Sequence, residues 1–476
     1  MVQFFDFIIN LFEGSLKFVF EFFELAFKRN REYSADFISQ GSILSSGYGG
    51  FCLTGRRNLS VKHSYQNALI IGGTGTGKSS VVLIPSLFTM QGSFVVNDPS
   101  GELFSKSSGY LVQRGYEVKV LNFANPSISC GFNPLIRAIT SSDIQKISSM
   151  LIENTLGKAK DPFWSLQGTA LLTMLITILK KQEPEFQNMY NLRLLLNYLG
   201  GNPEKVDSLF SRYADDALFA EYKSFLAYDD KVVSGVIATC KAALLIFNDE
   251  KVAQVTSFDN LNMQDFREKK TALFIQNSVA DQKYYSVLTS VFFEQLFSYI
   301  MSRFPKNSEK DIFLLIDEAS SLNLPTLQLA VANVRKHRAG IMLLVQDFAQ
   351  IIHNYGRNDA DAIKSNCFAK MFFPGQSLET SRELEQTLGK YQYEDDKGRT
   401  IVRPLMTNDE IRTMRESRAL LISGNHPPIM ARLRPYYKNR NYRAYSELNP
   451  PEMNREIEDY TIPVLALNAK EENDNE

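Results

Sequence analysis

Gly72-Gly73-Thr74-Gly75-Thr76-Gly77-Lys78-Ser79-Ser80, entered from the apolar run Ala68-Leu69-Ile70-Ile71, is where the argument for a fold begins. Residues 72–79 satisfy the phosphate-loop pattern GxxxxGK[ST] in full, and they follow a run with the length and composition of a buried strand. Glycines allow successive backbone N–H groups to curl around phosphate oxygens, and the helix that follows adds the positive end of its dipole. Lys78 is the ammonium expected on the β- and γ-phosphates of a nucleotide. Ser79 is the hydroxyl expected on Mg²⁺, and Gly72–Gly77 with Ser80 complete the cradle.

A second element agrees with the first. Ile312-Phe313-Leu314-Leu315-Ile316 reads as an apolar strand that ends in Asp317 and Glu318. Paired carboxylates at a strand end are common in sheet proteins, and these gain meaning from the phosphate loop. Asp317 is placed to hold the Mg²⁺ shell and Glu318 to orient an attacking water. Gln346 closes the next apolar strand, Ile341–Val345, where its amide would sense a γ-phosphate; a plain surface glutamine is the competing reading. Arg335, Lys336 and Arg338 stand just before that strand. One of them is a candidate finger for a neighbour's nucleotide, against a solvated helix end.

Outward from these sites, short apolar runs alternate with helical stretches. Phe94–Asp98, Val118–Asn122, Thr271–Ile275, Ala369–Phe373 and Leu420–Ser423 join the three strands already named. Continuous apolar strands separated by helices predict an α/β fold with a mostly parallel sheet covered on both faces. The expected divisions are 32–136 and 254–447 for the two parts of the nucleotide-binding domain, with 137–253 as an all-helical insertion. Within the insertion, Asp161-Pro162 is a helix start, with Asp as cap and Pro where its missing N–H costs nothing. Residues 448–476 turn Pro-rich and then acidic, ending Lys470-Glu-Glu-Asn-Asp-Asn-Glu476, and read as a flexible tail.

Composition narrows the function classes. The chain has 476 residues with 44% hydrophobic and 22% charged, which excludes a disordered or collagenous chain. Lys and Arg number 52 against 53 Asp and Glu, a net charge of −1, so any nucleic-acid contact must be local rather than spread over a basic surface. Cys52, Cys130, Cys240 and Cys367 form no CxxC pair, and the four histidines have no metal spacing.

Residues 1–31 carry a Phe-rich segment whose polar positions Asp6, Asn10, Glu13, Lys17, Glu21, Glu24 and Lys28 step by three or four. That is one polar stripe on a helix, without an uncharged stretch long enough to span a bilayer. An amphipathic helix docked on a membrane interface or on a partner is expected there, followed by the basic end Lys28, Arg29 and Arg31.

The phosphate loop, Asn97-Asp98-Pro99-Ser100-Gly101-Glu102-Leu103, Gly131-Phe132-Asn133-Pro134-Leu135, Asp161-Pro162-Phe163-Trp164, Asp317-Glu318, Gln346 and Arg403-Pro404-Leu405-Met406-Thr407-Asn408-Asp409-Glu410-Ile411 occur in this order. Joint order and content resemble the type IV secretion coupling proteins, the conjugative DNA-transfer ATPases, over about residues 45–440. The resemblance implies a RecA-like motor with an inserted all-α domain, using ATP and Mg²⁺. It implies a hexamer at the cytoplasmic face of the bacterial inner membrane that feeds single-stranded DNA, with its relaxase, into a secretion channel. It places the trans-acting arginine on Arg335, and it associates the helical insertion and the tail with substrate recognition. Two departures stand out: the family's two transmembrane helices are replaced here by the amphipathic segment, and Ser100 stands where the family commonly has Lys. A coupling ATPase delivering protein effectors without DNA and a hexameric chromosomal DNA pump are the alternatives.

Overall fold

The computed structural model describes residues 33–156, 161–277, 279–453 and 461–467. The amphipathic helix expected over 1–31 and the acidic end of the tail lie outside the described residues. Nine strands make the main sheet: β1 (Ala68–Ile71), β2 (Ser93–Asn97), β3 (Glu117–Leu121), β4 (Thr271–Ile275), β5 (Ile312–Ile316), β6 (Ala339–Val345), β7 (Ala369–Phe372), β8 (Arg418–Ser423) and β9 (Ile429–Arg432). Their spatial order is β9-β8-β7-β1-β6-β5-β2-β4-β3. All pairings from β7 across to β3 are parallel.

All eight runs read as strands from the sequence lie in this sheet, which is mostly parallel as predicted. One edge differs. β8 runs antiparallel to both β7 and β9; the five residues between β8 and β9 turn the chain straight back, which sets the second of these pairings. β9 itself, Ile-Met-Ala-Arg, is too short and too polar at its end to announce itself.

The core lies on both sheet faces, as a parallel sheet requires. Leu69, Ile71, Val95 and Leu314 pack into one apolar cluster and Ala68, Ile70, Val96 and Leu315 into the other. Successive strand residues point to opposite faces, so uninterrupted apolar runs feed both layers at once.

Between β3 and β4 the described residues contain helices and turns and no strand. The helices run from Ser141–Leu156 through Pro162–Leu179, Met189–Gly201, Pro203–Tyr213, Asp216–Leu226 and Asp230–Ala243 to Glu250–Ser257. The Asp161 carboxylate caps Pro162–Leu179 by accepting from Phe163 N at 2.9 Å. Among the described residues this is the one helix long and apolar enough to cross a bilayer, and its Leu171, Leu172, Leu175, Ile176 and Leu179 are buried among the other helices. The last helix outruns the expected limit at 253 because Asp249 caps a fresh start, accepting from Lys251 N at 2.9 Å. An ion pair of 2.9 Å between Arg137 and Asp259 ties the way in to the way out.

Among the described residues, 448–453 and 461–467 are more closely packed than their composition suggests. Tyr445, on the helix Arg440–Ser446, stacks on Tyr110 with ring centroids 3.9 Å apart. Beyond it the backbone passes so close to Gly109 that a Cβ there would lie 2.4 Å from Asn449 O. A tail that is flexible throughout from residue 448 was the expectation; residues 461–467 instead seat Leu465 in the larger apolar cluster. Acidic flanks dominate the composition of this region and conceal the short apolar run Ile462–Leu467.

Candidate nucleotide site

The parallel strands deliver the predicted residues to one edge of the sheet. β6 lies between β1 and β5, so the loop after β1, Asp317 after β5 and Gln346 after β6 stand at the carboxyl ends of three adjacent strands. Thr74–Ser80, Glu102, Asp317, Glu318 and Gln346 line a common cavity of about 300 Å³.

The loop requires its glycines at particular points. A Cβ at Gly72 would sit 2.6 Å from Phe373 Cβ, and Gly75 and Gly77 have φ of +78° and +91°, which side-chain-bearing residues rarely adopt. Thr76 Oγ1 donates to Gly73 O at 2.8 Å and Ser80 Oγ to Gly77 O at 3.1 Å, so two of the predicted cradle residues brace the turn itself. The helix that follows, Ser79–Thr89, opens with a π-helical stretch over Ser79–Leu83, a winding found often at functional sites.

Lys78 Nζ donates to Gly72 O and, at 3.0 Å, to Gly73 O, folded over the loop that it serves. Burial lowers its pKa from the usual lysine value, and the Asp317 and Glu318 carboxylates oppose that shift. Burial pushes the Asp317 carboxyl up to about 6, Glu318 adds to the rise and Lys78 opposes it. Among the described residues Asp317 has no paired cation within ion-pair reach, and its carboxylate accepts from Glu318 N at 3.1 Å. A hard divalent cation is what such an under-compensated carboxylate lacks, and with the Ser79 hydroxyl lining the same cavity the oxygen donor set fits Mg²⁺.

Glu318 itself has φ 52° and ψ 47°, the left-handed region, an arrangement that persists only when its surroundings impose it. Here they do. Ser321 N and Oγ both donate to Glu318 O, at 2.9 and 2.8 Å, and Gln282 Nε2 grips Ser321 Oγ at 2.6 Å.

The profile of the family described as Type IV secretory system Conjugative DNA transfer matches residues 33–463, nearly all of the chain. The chain belongs to that family. It is 21% identical to the protein VirD4 of Rhizobium radiobacter over 415 residues, covering 80% of this chain and 58% of the relative. It is 23% identical to the conjugal transfer protein TraG of Escherichia coli over 357 residues, covering 68% and 55%. The chain thus spans less than two thirds of the length of these relatives. The plasmid coupling protein TrwB, solved in complex with ADP and Mg²⁺, superposes with a TM-score of 0.66 at 20% identity, covering 84% of this chain and 93% of that one. TrwB bound to a non-hydrolysable ATP analogue gives the same score. A RecA-like α/β fold with an inserted all-α domain is therefore the fold of this chain.

Arg335 is absent from the cavity, and this is informative in a DNA-transfer family member. It is exposed on the turn Val334–His337 that precedes β6, while Gln346 follows β6, so a seven-residue strand of about 20 Å separates them. No carboxylate among the described residues pairs with Arg335. Arg338, by contrast, is committed to Asp311 at 2.6 Å and to the carbonyls of Lys306 and Glu309.

Three contributors escaped the sequence reading as individual residues, although all lie within Asn97–Leu103. Asn97 Nδ2 donates to Asp317 O at 2.7 Å and fixes the backbone that aims the carboxylate. Asp98 caps the helix Glu102–Gln113 by accepting from Leu103 N and Phe104 N, at 3.2 and 2.8 Å. Glu102 lines the cavity from that helix's first turn. The available signal was an apolar strand that ends in polar residues, as β5 does at Asp317-Glu318.

Proposed function

We propose that this chain is an ATP-driven coupling protein that recruits single-stranded DNA with its relaxase and moves it into a type IV secretion channel. The observation that carries the reading is the convergence of phosphate loop, Asp317, Glu318 and Gln346 at the ends of three adjacent strands. In this reading Lys78 leaves its loop carbonyls for the β- and γ-phosphates, and Ser79 and Asp317 hold Mg²⁺. When bound, the ion would neutralise charge on the phosphate oxygens. Glu318 orients the attacking water, Gln346 senses the γ-phosphate and Arg335 reaches the nucleotide of a neighbour.

Homo-oligomerisation is supported by the position of Arg335, and a hexamer is what the family resemblance implies. It stands at the end of the sheet opposite its own cavity, so only another protomer's nucleotide can lie within its reach. Residues 32–136 and 254–447 form the motor in this account, and 137–253 with the tail recognise substrate. A place at the cytoplasmic face of the inner membrane rests on the family and on the amphipathic pattern of residues 1–31. With net charge −1, DNA contacts are expected to be few, local and salt-sensitive.

The test is the ATPase rate with and without single-stranded DNA, with oligomeric state measured in parallel. DNA-stimulated hydrolysis by a ring supports the reading. Hydrolysis indifferent to DNA but stimulated by a secreted protein would transfer it to effector delivery, and full-rate hydrolysis by monomers would overturn the shared site.

A further inference from the structure

Glu318 and Gln346 line one cavity from two different strands, and a single helix runs from the second of them to the loop that carries the first. Asp347, the residue after Gln346, caps the helix Phe348–Tyr355 by accepting from Ala349 N at 3.0 Å. Phe348 and Ile351 are buried and pack this helix into the larger apolar cluster. Its last two residues both turn to the loop that follows Glu318. Asn354 Nδ2 donates to Ser320 O at 2.6 Å. The Tyr355 hydroxyl accepts from Leu324 N at 3.2 Å and donates to Leu322 O at 3.4 Å.

The grip is on backbone groups, at residues 320, 322 and 324. Such bonds fix the path of the chain, and the path here begins with the left-handed backbone of Glu318, which needs its surroundings to impose it. A second support comes from elsewhere. Gln282 holds Ser321 from the helix Gln282–Ser302, which contributes no residue to the cavity. Two supports therefore meet on one loop, and only one of them starts at a residue that faces the nucleotide. A helix of eight residues is about 12 Å long, and packing along one face makes its two ends move together.

We propose that Asn354 and Tyr355 are positioning residues for hydrolysis, and that the helix Phe348–Tyr355 ties Gln346 to Glu318 so that the two act as one unit. The inference rests on the reading in which Gln346 meets the γ-phosphate and Glu318 orients the attacking water. Neither Asn354 nor Tyr355 lines the cavity, and each acts through a carbonyl or N–H of the intervening loop. Water orientation depends on where the Glu318 carboxylate sits, and a misplacement of about 1 Å can cost about a hundredfold in rate. Affinity for the nucleotide comes from the phosphate loop and the Mg²⁺ ligands, which this helix leaves alone. A γ-phosphate that anchors Gln346 thereby steadies Glu318, which ties water activation to the presence of the bond to be cleaved.

The test is a pair of double-mutant cycles in the full chain, with kcat, affinity for ATP and Mg²⁺, oligomeric state and urea midpoint measured for every variant. Asn354→Leu keeps the size of the side chain and removes the donor. It should lower kcat by about ten- to a hundredfold and leave ATP affinity within about twofold. Tyr355→Phe removes one hydroxyl from a site already shaped for the ring, should act in the same direction, and carries the same cycle if Asn354→Leu lowers the urea midpoint. Combined with Gln346→Ala, either change should be non-additive, the double variant staying within about twofold of the slower single one. Gln282→Leu loosens the same loop from outside the link, so its loss should multiply with that of Gln346→Ala. Multiplied losses in the first cycle, non-additivity of equal size in both, or a full rate in Gln346→Ala overturns the link. Glu318→Gln at full rate defeats the site reading itself, whereas a slow Glu318→Gln beside full-rate Asn354→Leu and Tyr355→Phe defeats this inference alone.

Discussion

The two ends of the central sheet are built from the same kinds of residue and use them in opposite ways. At the carboxyl ends of β1, β5 and β6, charge is left under-compensated: the Asp317 carboxyl is held up at about 6, the Lys78 pKa is lowered by burial, and Glu318 occupies left-handed backbone. At the amino ends two buried polar side chains are saturated with backbone partners. Arg267, 3% exposed, donates to the carbonyls of Lys310, His337 and Arg338. Asn67 binds Val331 O, Asn366 O and Ile341 N, which holds the starts of β1 and β6 together. An end that satisfies itself is scaffold, and an end that does not is waiting for a ligand. Arg335 breaks the pattern, an exposed cation without a carboxylate partner at the otherwise satisfied end.

The strongest way to break the comparison is therefore Arg335→Ala. A finger from the neighbouring protomer is worth about 10³–10⁵ in rate, so turnover should fall by that order while nucleotide binding hardly changes. Arginine suits the role because its guanidinium stays charged and grips two oxygens at once. Mixed rings of Arg335→Ala and Lys78→Ala subunits should recover part of the activity, since some junctions then pair an intact Lys78 with an intact Arg335. Exchange-competent rings that stay inactive would return Arg335 to the scaffold end.

Glu318→Gln tests the ligand-waiting end directly. In the role proposed for Glu318, loss of its carboxylate should lower hydrolysis by about 10²–10⁴ and leave ATP binding in place, as single-turnover rates and a nucleotide-binding assay would show. Turnover near that of the unaltered protein would mean that the strained turn serves structure alone.

The satisfied end should respond in stability and not in binding. Arg267→Met removes its donors from the carbonyls of Lys310 and His337 and one of two from Arg338 O, and should cost about 3 kcal/mol, read as a lower urea midpoint with nucleotide affinity retained. Lys78→Met should do the reverse, with little loss of stability and loss of binding, because its carbonyl partners belong to an open loop.

This contrast also explains what was legible in advance. The phosphate loop and the Asp317-Glu318 pair could be read because backbone geometry and phosphate chemistry restrict residue type at fixed spacing, and the eight strands because burial on both faces demands continuous apolar runs. The antiparallel edge was not legible, since Leu420–Ser423 is as apolar as its parallel neighbours and nothing in its composition marks its direction. Asn97 and Asp98 were visible within a motif but not as contributors: Asn97 bonds a strand-end carbonyl 220 positions away, and Asp98 bonds N–H groups of the helix that follows, whose start the motif does not mark. Residues 461–467 were hidden for another reason: Ile462, Leu465 and Leu467 are few among acidic neighbours, and the Asn188 and Asn191 amides that bond their backbone lie more than 270 positions away. Spacing along the chain records local geometry and leaves such long-range partners unrecorded.

The smallest expected effect concerns pH and sharpens the boundary between the two ends. Asp98 lies 1% exposed beside the cavity, and burial pushes its carboxyl up to about 6 even though Leu103 N and Phe104 N favour the charged form. A carboxyl whose folded pKa exceeds its unfolded value near 3.8 binds more protons in the folded state between those two limits. Folding stability should therefore fall as pH rises from about 4 to about 6, and this contribution should be flat above that range. The shift bounds the change at about 3 kcal/mol, and the lost charge–amide bonds to the helix start will make the net effect of substitution smaller. Asp98→Asn keeps one acceptor for the helix cap and removes the titration, so the urea midpoint of the nucleotide-free protein should lose much of its decline between pH 4 and 6. An unaltered decline would place the titrating group elsewhere, and a steeper one would show that Asp98 is charged throughout and belongs with the satisfied groups of the opposite end.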